Sequence, residues 1–152
     1  MSDHHVCLIP ATPEFIPSKA SQTAAIALIQ KAWHQNVPEI TLETDEHIAF
    51  RDCGENFESI HCPHCSTEVQ VEYWQDLMDQ DYSNEDGFRL RTISMPCCGH
   101  ISTLNDFLYK WPMGFSRFII RFSDLGHEIS DHLLIELESV IGCKLRVIHQ
   151  MY

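Results

Sequence analysis

Two short runs in this 152-residue chain concentrate side chains that bind metals. The first is Cys62-Pro63-His64-Cys65. The second, Cys97-Cys98-Gly99-His100, follows after an interval of 31 residues. Thiolate and imidazole are ligands that Zn2+ prefers, and paired ligands on two turns are the usual way to build a tetrahedral structural site. Proline shapes the first turn, and Gly99 permits a positive φ in the second. The simplest ligand set is Cys62, Cys65, Cys97 and Cys98. Successive side chains tend to diverge, so adjacent cysteines are an uncommon second pair. His100 is therefore the alternative fourth ligand, in place of Cys97 or Cys98. The expected cofactor is Zn2+.

Two other chemistries use the same atoms. Cys-Pro-His-Cys is also the active-site tetrapeptide of oxidising thioredoxin-fold proteins, where a following helix depresses the pKa of the first thiol. Here Ser66-Thr-Glu-Val-Gln-Val-Glu-Tyr follows, which begins like a strand. A zinc-dependent hydrolase would need an open metal position and a general base, for which Glu55, Glu58, His61 and His64 are nearby in sequence. No H-E-x-x-H pattern is present, and four sulfurs would leave no open position. Phosphate-loop, dinucleotide and serine-hydrolase signatures are absent, so the chain carries no catalytic motif of those kinds. The remaining histidines (His4, His5, His34, His47, His127, His132, His149) are scattered and read as surface or structural residues.

Seven cysteines is an odd number, and the Met-Ser-Asp-His-His start has neither a basic n-region nor an apolar h-region. A reducing cytoplasm is the expected compartment, with Cys7 and Cys143 as packing residues. No apolar run is long enough to span a membrane. The net charge of −12 argues against general affinity for nucleic-acid backbone. That charge is uneven. Residues 1–87 carry 16 acidic and three basic side chains, whereas residues 88–152 carry six and seven. The densest acidic stretch, Glu68 to Asp86, contains no Lys or Arg. Glu72, Asp76 and Asp79 recur at helical spacing, and Tyr73, Trp74 and Tyr82 lie among them. This pattern reads either as a solvated helix or as a docking face for a basic protein, with Glu72, Trp74, Asp76 and Asp79 as the partner-binding residues.

The elements that must position these groups follow from periodicity. Val6–Ile9 is a short strand, and Pro10, Pro13 and Pro17 make an extended connector. Ser18 caps a helix from Lys19 to Trp33 that turns Ala25, Ile26, Ile29 and Trp33 to one side, and Pro38 closes that region. Ile40–Thr44 and His47–Arg51 are strand-like, joined by a tight turn at Asp45-Glu46. Phe88–Met95 and Phe115–Phe122 alternate as strands, the latter with Phe118, Ile120 and Phe122 on one face and Arg117, Ile119 and Arg121 on the other. A helix starts at Ser130 or Asp131, stops at Gly142, and leads to a strand from Lys144 to His149. No repeat of fixed short period is evident. The order predicts an α+β protein: a ferredoxin-like split βαβ sandwich forming a single domain over 1–152, with a zinc-binding insert at about 53–112. The sheet face bearing Arg117 and Arg121 is open to water, covered by the insert, or a binding surface.

The run Asp52-Cys-Gly-Glu-Asn-Phe-Glu-Ser-Ile-His-Cys-Pro-His-Cys65, with Met95-Pro-Cys-Cys-Gly99, Leu104-Asn-Asp-Phe107 and Trp111-Pro-Met-Gly-Phe115, resembles a group of small uncharacterised bacterial zinc-binding proteins. The resemblance covers roughly residues 52–115 and implies bacterial origin and a zinc site, without an activity. The functional expectation is a zinc-stabilised acidic binding protein without enzymatic activity, of the inhibitor or immunity type, that neutralises a basic partner. The alternative is a thiol oxidoreductase or zinc-dependent hydrolase built on the same cluster.

Overall fold

The computed structural model describes residues 4–123 and 128–152. Strand β1 (His4–Pro10) is apolar from Val6 to Ile9 and lies fully buried there. Helix α1 (Lys19–Ala32) starts where expected: the Ser18 hydroxyl accepts from the Ser21 amide at 3.1 Å. Ala25 and Ile29 are its buried residues, and Trp33 packs on Phe122 at 5.5 Å.

Strand β2 (Ile40–Arg51) departs from the reading of two strands and a turn. It runs continuously beside β10 (Gly114–Ser123), but Ser116 pairs with Ala49 while Phe118 pairs with Thr44. Residues 45–48 therefore bulge opposite Arg117 alone. The polar Asp45-Glu46 pair marks that bulge and makes no hairpin. Arg51, only 7% exposed, holds it: its guanidinium donates to the Ser116 hydroxyl, to the carbonyls of Ser116 and Arg117, and to the Asp45 carboxylate at 2.6 Å.

Between β2 and β10 lie short elements: β3 (Ser59–His61), β4 (Glu68–Val69), α2 (Val71–Asp81), β5 (Tyr82–Ser83), β6 (Gly87–Phe88), β7 (Ile93–Ser94), β8 (Ile101–Ser102), a 3-10 turn at Leu104–Asp106 and β9 (Leu108–Lys110). The strand expected over Phe88–Met95 exists only at its two ends. Asp81, buried, accepts from the amides of Leu90 (2.7 Å) and Arg91 (2.9 Å), and Leu90 turns to φ +53°, which breaks the ladder. Helix α3 (Asp131–Ile141) is capped by Ser130 and stopped by left-handed Gly142, and β11 (Leu145–Met151) follows.

Among the described residues the largest sheet has the order β11-β1-β10-β2-β6-β5. β1 pairs antiparallel with both β10 and β11, and β10 pairs antiparallel with β2. The chain is thus α+β, and two apolar layers sandwich this sheet. On one face Val6, Leu8, Phe118, Ile120 and Phe122 meet Ala25 and Ile29 of α1 and Leu133, Leu137 and Ile141 of α3. On the other, Cys7, Ile9, Phe115, Ile119 and Ile148 meet Trp74, Met95, Leu104, Phe107 and Tyr109 of the intervening segment. The insert therefore covers much of the arginine-bearing face. Arg146 fastens it: Nη1 donates to the carbonyl (3.1 Å) and side-chain oxygen of Asn105 and to the Met113 carbonyl (2.7 Å). What stays open at the far end is a polar cleft around Arg121, His5 and Gln150.

Candidate metal centre

Two hairpins carry the cysteine runs. β3 and β4 pair antiparallel, Ile60 with Val69 and His61 with Glu68, around the turn 62–67. β7 and β8 pair Ile93 with Ser102 and Ser94 with Ile101 around the turn 95–100. Every residue of the second hairpin sits 33 positions after its counterpart in the first, as Ile93 does after Ile60. The backbone repeats as well. Cys62 N–H donates to the Thr67 carbonyl (2.9 Å) and Ser66 N–H to the Cys62 carbonyl (3.0 Å). Met95 N–H donates to the His100 carbonyl (2.8 Å) and Gly99 N–H to the Met95 carbonyl (2.7 Å). Ser66 (φ +65°) and Gly99 (φ +75°) take the same left-handed conformation. The chain thus contains a structural repeat that is not evident from sequence alone. Its signal is Ile60-x-x-Pro63-x-Cys65 against Ile93-x-x-Pro96-x-Cys98, too sparse to stand out unaided.

The two turns face each other, and the four sulfurs of Cys62, Cys65, Cys97 and Cys98 all lie within 4.8 Å of one another. Cys62 Sγ is 3.7 Å from Cys98 Sγ, and Cys65 Sγ is 3.3 Å from Cys97 Sγ. A disulfide needs about 2.05 Å, whereas four thiolates on one tetrahedral Zn2+ stand about 3.8 Å apart, from a Zn–S bond of about 2.3 Å. The site can hold a metal ion. His100 does not belong to this converging group. Its ring stacks on His64, centroids 4.4 Å apart and planes 5° from parallel, one histidine from each turn.

The repeat explains how adjacent cysteines serve one centre. Cys98 occupies the place of Cys65. The counterpart of Cys62 is Met95, which is buried and brings no thiolate, and Cys97 occupies the place of His64. One cysteine of the second turn thus matches a cysteine of the first, and its neighbour's sulfur completes the group of four.

Charge at the sulfurs is graded. The amide of Cys65 pulls the Cys62 thiol below its usual range, with the His64 amide assisting at 3.4 Å. The hydroxyl and amide of Thr67 draw Cys65 down to about 6. Contact with Cys65 pushes Cys97 up to about 12, and Cys98 is raised because burial and the neighbouring sulfurs outweigh the His100 amide. Four sulfurs this close cannot all ionise without a cation among them.

Of the groups expected to serve a hydrolase, His61, His64 and Glu58 make other contacts. His61 contacts the Ser59 hydroxyl (3.0 Å) and the Ser66 carbonyl (3.1 Å). Glu58 takes the Trp111 indole N–H (3.0 Å) and pairs with Lys110 (3.1 Å). Cys65 is followed by left-handed Ser66 and strand β4, not directly by a helix. Of the scattered histidines, His132 pairs with Glu136 at 2.8 Å, His149 lies edge-on to Trp111, and His127 falls outside the described residues.

The acidic stretch does form a helix, α2, which begins two residues after β4. Glu72, Asp76 and Asp79 are exposed on it, as are Tyr73 and, just beyond, Tyr82. Trp74 departs from its expected place on that face. It is 8% exposed, its indole N–H donates to the Tyr109 hydroxyl (3.1 Å), and its ring packs against Phe50 and Phe57. An indole this large finds more apolar contact inside, and a partner for its N–H there, so it anchors the helix and is not available for docking. No protein-family model, no curated protein and no solved structure matches the chain.

Proposed function

We propose that the chain is a zinc-stabilised acidic binding protein whose α2 face docks a basic protein partner, in the manner of a bacterial inhibitor or immunity protein. The convergence of four sulfurs from two opposed turns is the observation that carries the metal half of this reading. Thiolate-only donors suit Zn2+ over oxygen-seeking cations, and a closed four-sulfur set suits a structural role. Cys62, Cys65, Cys97 and Cys98 would hold the ion, which supplies the positive charge that lets four thiolates coexist. It would also staple together two hairpins too short to persist alone. The strand order β11-β1-β10-β2 with α1 and α3 on one face supports reading the frame as a ferredoxin-like split βαβ sandwich.

The binding half rests on charge. Glu72, Asp76 and Asp79 form one solvent-facing row on a helix whose opposite side is pinned by Trp74. Such a row accelerates encounter with a cationic surface, and exposed Tyr73 and Tyr82 offer aromatic contact beside it. The test compares wild type with Asp76→Lys/Asp79→Lys for association with arginine-rich peptides in low and high salt. A slower on-rate for the variant, with the difference shrinking in high salt, supports this face. Equal on-rates at low salt contradict it.

A further inference from the structure

The 33-residue repeat that relates Ile93 to Ile60 singles out one of the four sulfurs. In the first turn both sulfurs have a donor group of the turn beside them: the His64 amide lies 3.4 Å from Cys62 Sγ, and the Thr67 hydroxyl 3.1 Å from Cys65 Sγ. In the second turn Cys98 takes the place of Cys65, with His100 in that of Thr67. Cys97 stands in the His64 position, which is not a ligand position in the first turn, and its sulfur lies 3.3 Å from Cys65 Sγ. Amide donors stabilise a thiolate and hold a ligand in orientation. A ligand without them keeps more negative charge on sulfur and is held less firmly. Cys97 is also exposed, whereas Cys62 is completely buried.

We propose that Cys97 is a modification site: the displaceable ligand of the metal centre, the first of its thiolates to react with soft electrophiles and peroxides, and the partner of Cys65 in a disulfide that opens the site. This inference rests on the metal-binding reading above. Cys65 Sγ lies 3.3 Å from Cys97 Sγ across the two turns, and both are exposed. With a hydroperoxide as oxidant, the Cys97 thiolate attacks the terminal peroxide oxygen, and the O–O bond breaks. One proton from solvent completes the departing alcohol, or water when the oxidant is hydrogen peroxide. Cys97 is left as a sulfenic acid, whose hydroxyl is the terminal oxygen of the peroxide with its own proton. The Cys65 thiolate then attacks that sulfenic sulfur, the S–S bond forms, and hydroxide leaves. That hydroxide carries the terminal oxygen and proton of the peroxide. Two thiolates are oxidised by two electrons, the peroxide is reduced by two, and one proton is taken up when the products are the neutral alcohol and hydroxide, a second from solvent converting the hydroxide to water. Losing two of its four sulfurs, the site can no longer retain a cation.

The repeat supplies a second handle. Met95 is the counterpart of Cys62, with the same backbone hydrogen bonds and the same depth of burial, so Met95→Cys would place a thiolate at the amide-served ligand position. The experiment loads wild type with Zn2+, labels it with substoichiometric iodoacetamide and maps adducts by peptide mass spectrometry. Cys97 is expected to be alkylated about tenfold ahead of Cys65 and Cys98. Hydrogen peroxide should release the zinc to a chromophoric chelator and leave a Cys65–Cys97 disulfide. The double variant Met95→Cys/Cys97→Ala should still bind zinc and release it about tenfold more slowly under peroxide. A zinc-loaded wild type alkylated first at Cys65 or Cys98, or a folded double variant that cannot hold zinc, overturns the inference and leaves the metal reading intact. A wild type that binds no zinc overturns the metal reading itself. The wild-type labelling order decides the matter alone if the double variant does not fold.

Discussion

Trp74 and Asp76 stand two positions apart on one helix and do opposite work. Trp74 is wedged among Phe50, Phe57 and Tyr109, and its hydrogen bond continues from the Tyr109 hydroxyl to the Leu104 carbonyl at 2.6 Å. Trp74→Ala should therefore lower stability by about 3–5 kcal/mol, while Tyr73→Ala on the exposed side should stay within about 0.5 kcal/mol, both read from denaturant midpoints. His100→Ala should leave zinc affinity nearly unchanged, since its ring stacks on His64 and lies outside the converging sulfurs. A loss of about tenfold or more in a competition titration would make it a ligand after all. Two buried thiols outside the centre behave differently again. Burial pushes Cys7 and Cys53 from 9.0 up to about 11. A thiol whose folded pKa is raised favours the folded state below its unfolded pKa, and that contribution is lost as pH climbs from 9.0 towards about 11. Thermal melts of wild type should fall through that alkaline window, and those of Cys7→Ala should fall less.

Whole elements were legible in the sequence where local signals and tertiary packing agree. Helices α1 and α3 carry serine caps and apolar stripes, and they run where the stripes put them. The insert was less legible because its strands are two or three residues long, set by pairing partners distant in sequence and by side chains such as Asp81. β2 misled for a related reason: Asp45 and Glu46 look like turn residues, yet Arg51 and Arg117 satisfy that polar segment within a bulge. At the metal site, residue types and spacing pointed to the four cysteines. The reason Cys97 and Cys98 can act together lay in a repeat visible only through backbone hydrogen bonds. Two glycines test this view of the elements. A Cβ placed on Gly99 would meet open space, and Ser66 takes the equivalent position in the first turn. Gly99→Ala should therefore cost only about 1 kcal/mol for its left-handed backbone. A Cβ on Gly54, by contrast, would lie 2.1 Å from the Met151 carbonyl oxygen at φ +63°. Gly54→Ala should cost roughly 2 kcal/mol or more and loosen the end of β11 from the insert, measurable by amide exchange at Met151.

On the scale of the molecule, one sheet divides two apolar layers, and the metal site lies within the insert layer, among residues that include Cys62, Met95 and Trp74. The helix layer is conventional; the insert layer depends on short hairpins, and the four cysteine sulfurs converge where two of them meet. Chelation should therefore loosen the insert before the helix layer, seen as early loss of the Trp74 fluorescence signal relative to far-ultraviolet dichroism. The acidic α2 face is built on that same insert, so under the proposed function metal loss should also slow association with a basic partner. All of this stands on the metal centre. The most direct measurement is metal analysis with X-ray absorption on protein purified under reducing conditions. The account predicts about one zinc per chain surrounded by four sulfurs at about 2.3 Å, and loss of that zinc in Cys62→Ser. A chain without stoichiometric metal, or with Cys62 and Cys65 joined as a stable disulfide under those conditions, would contradict it.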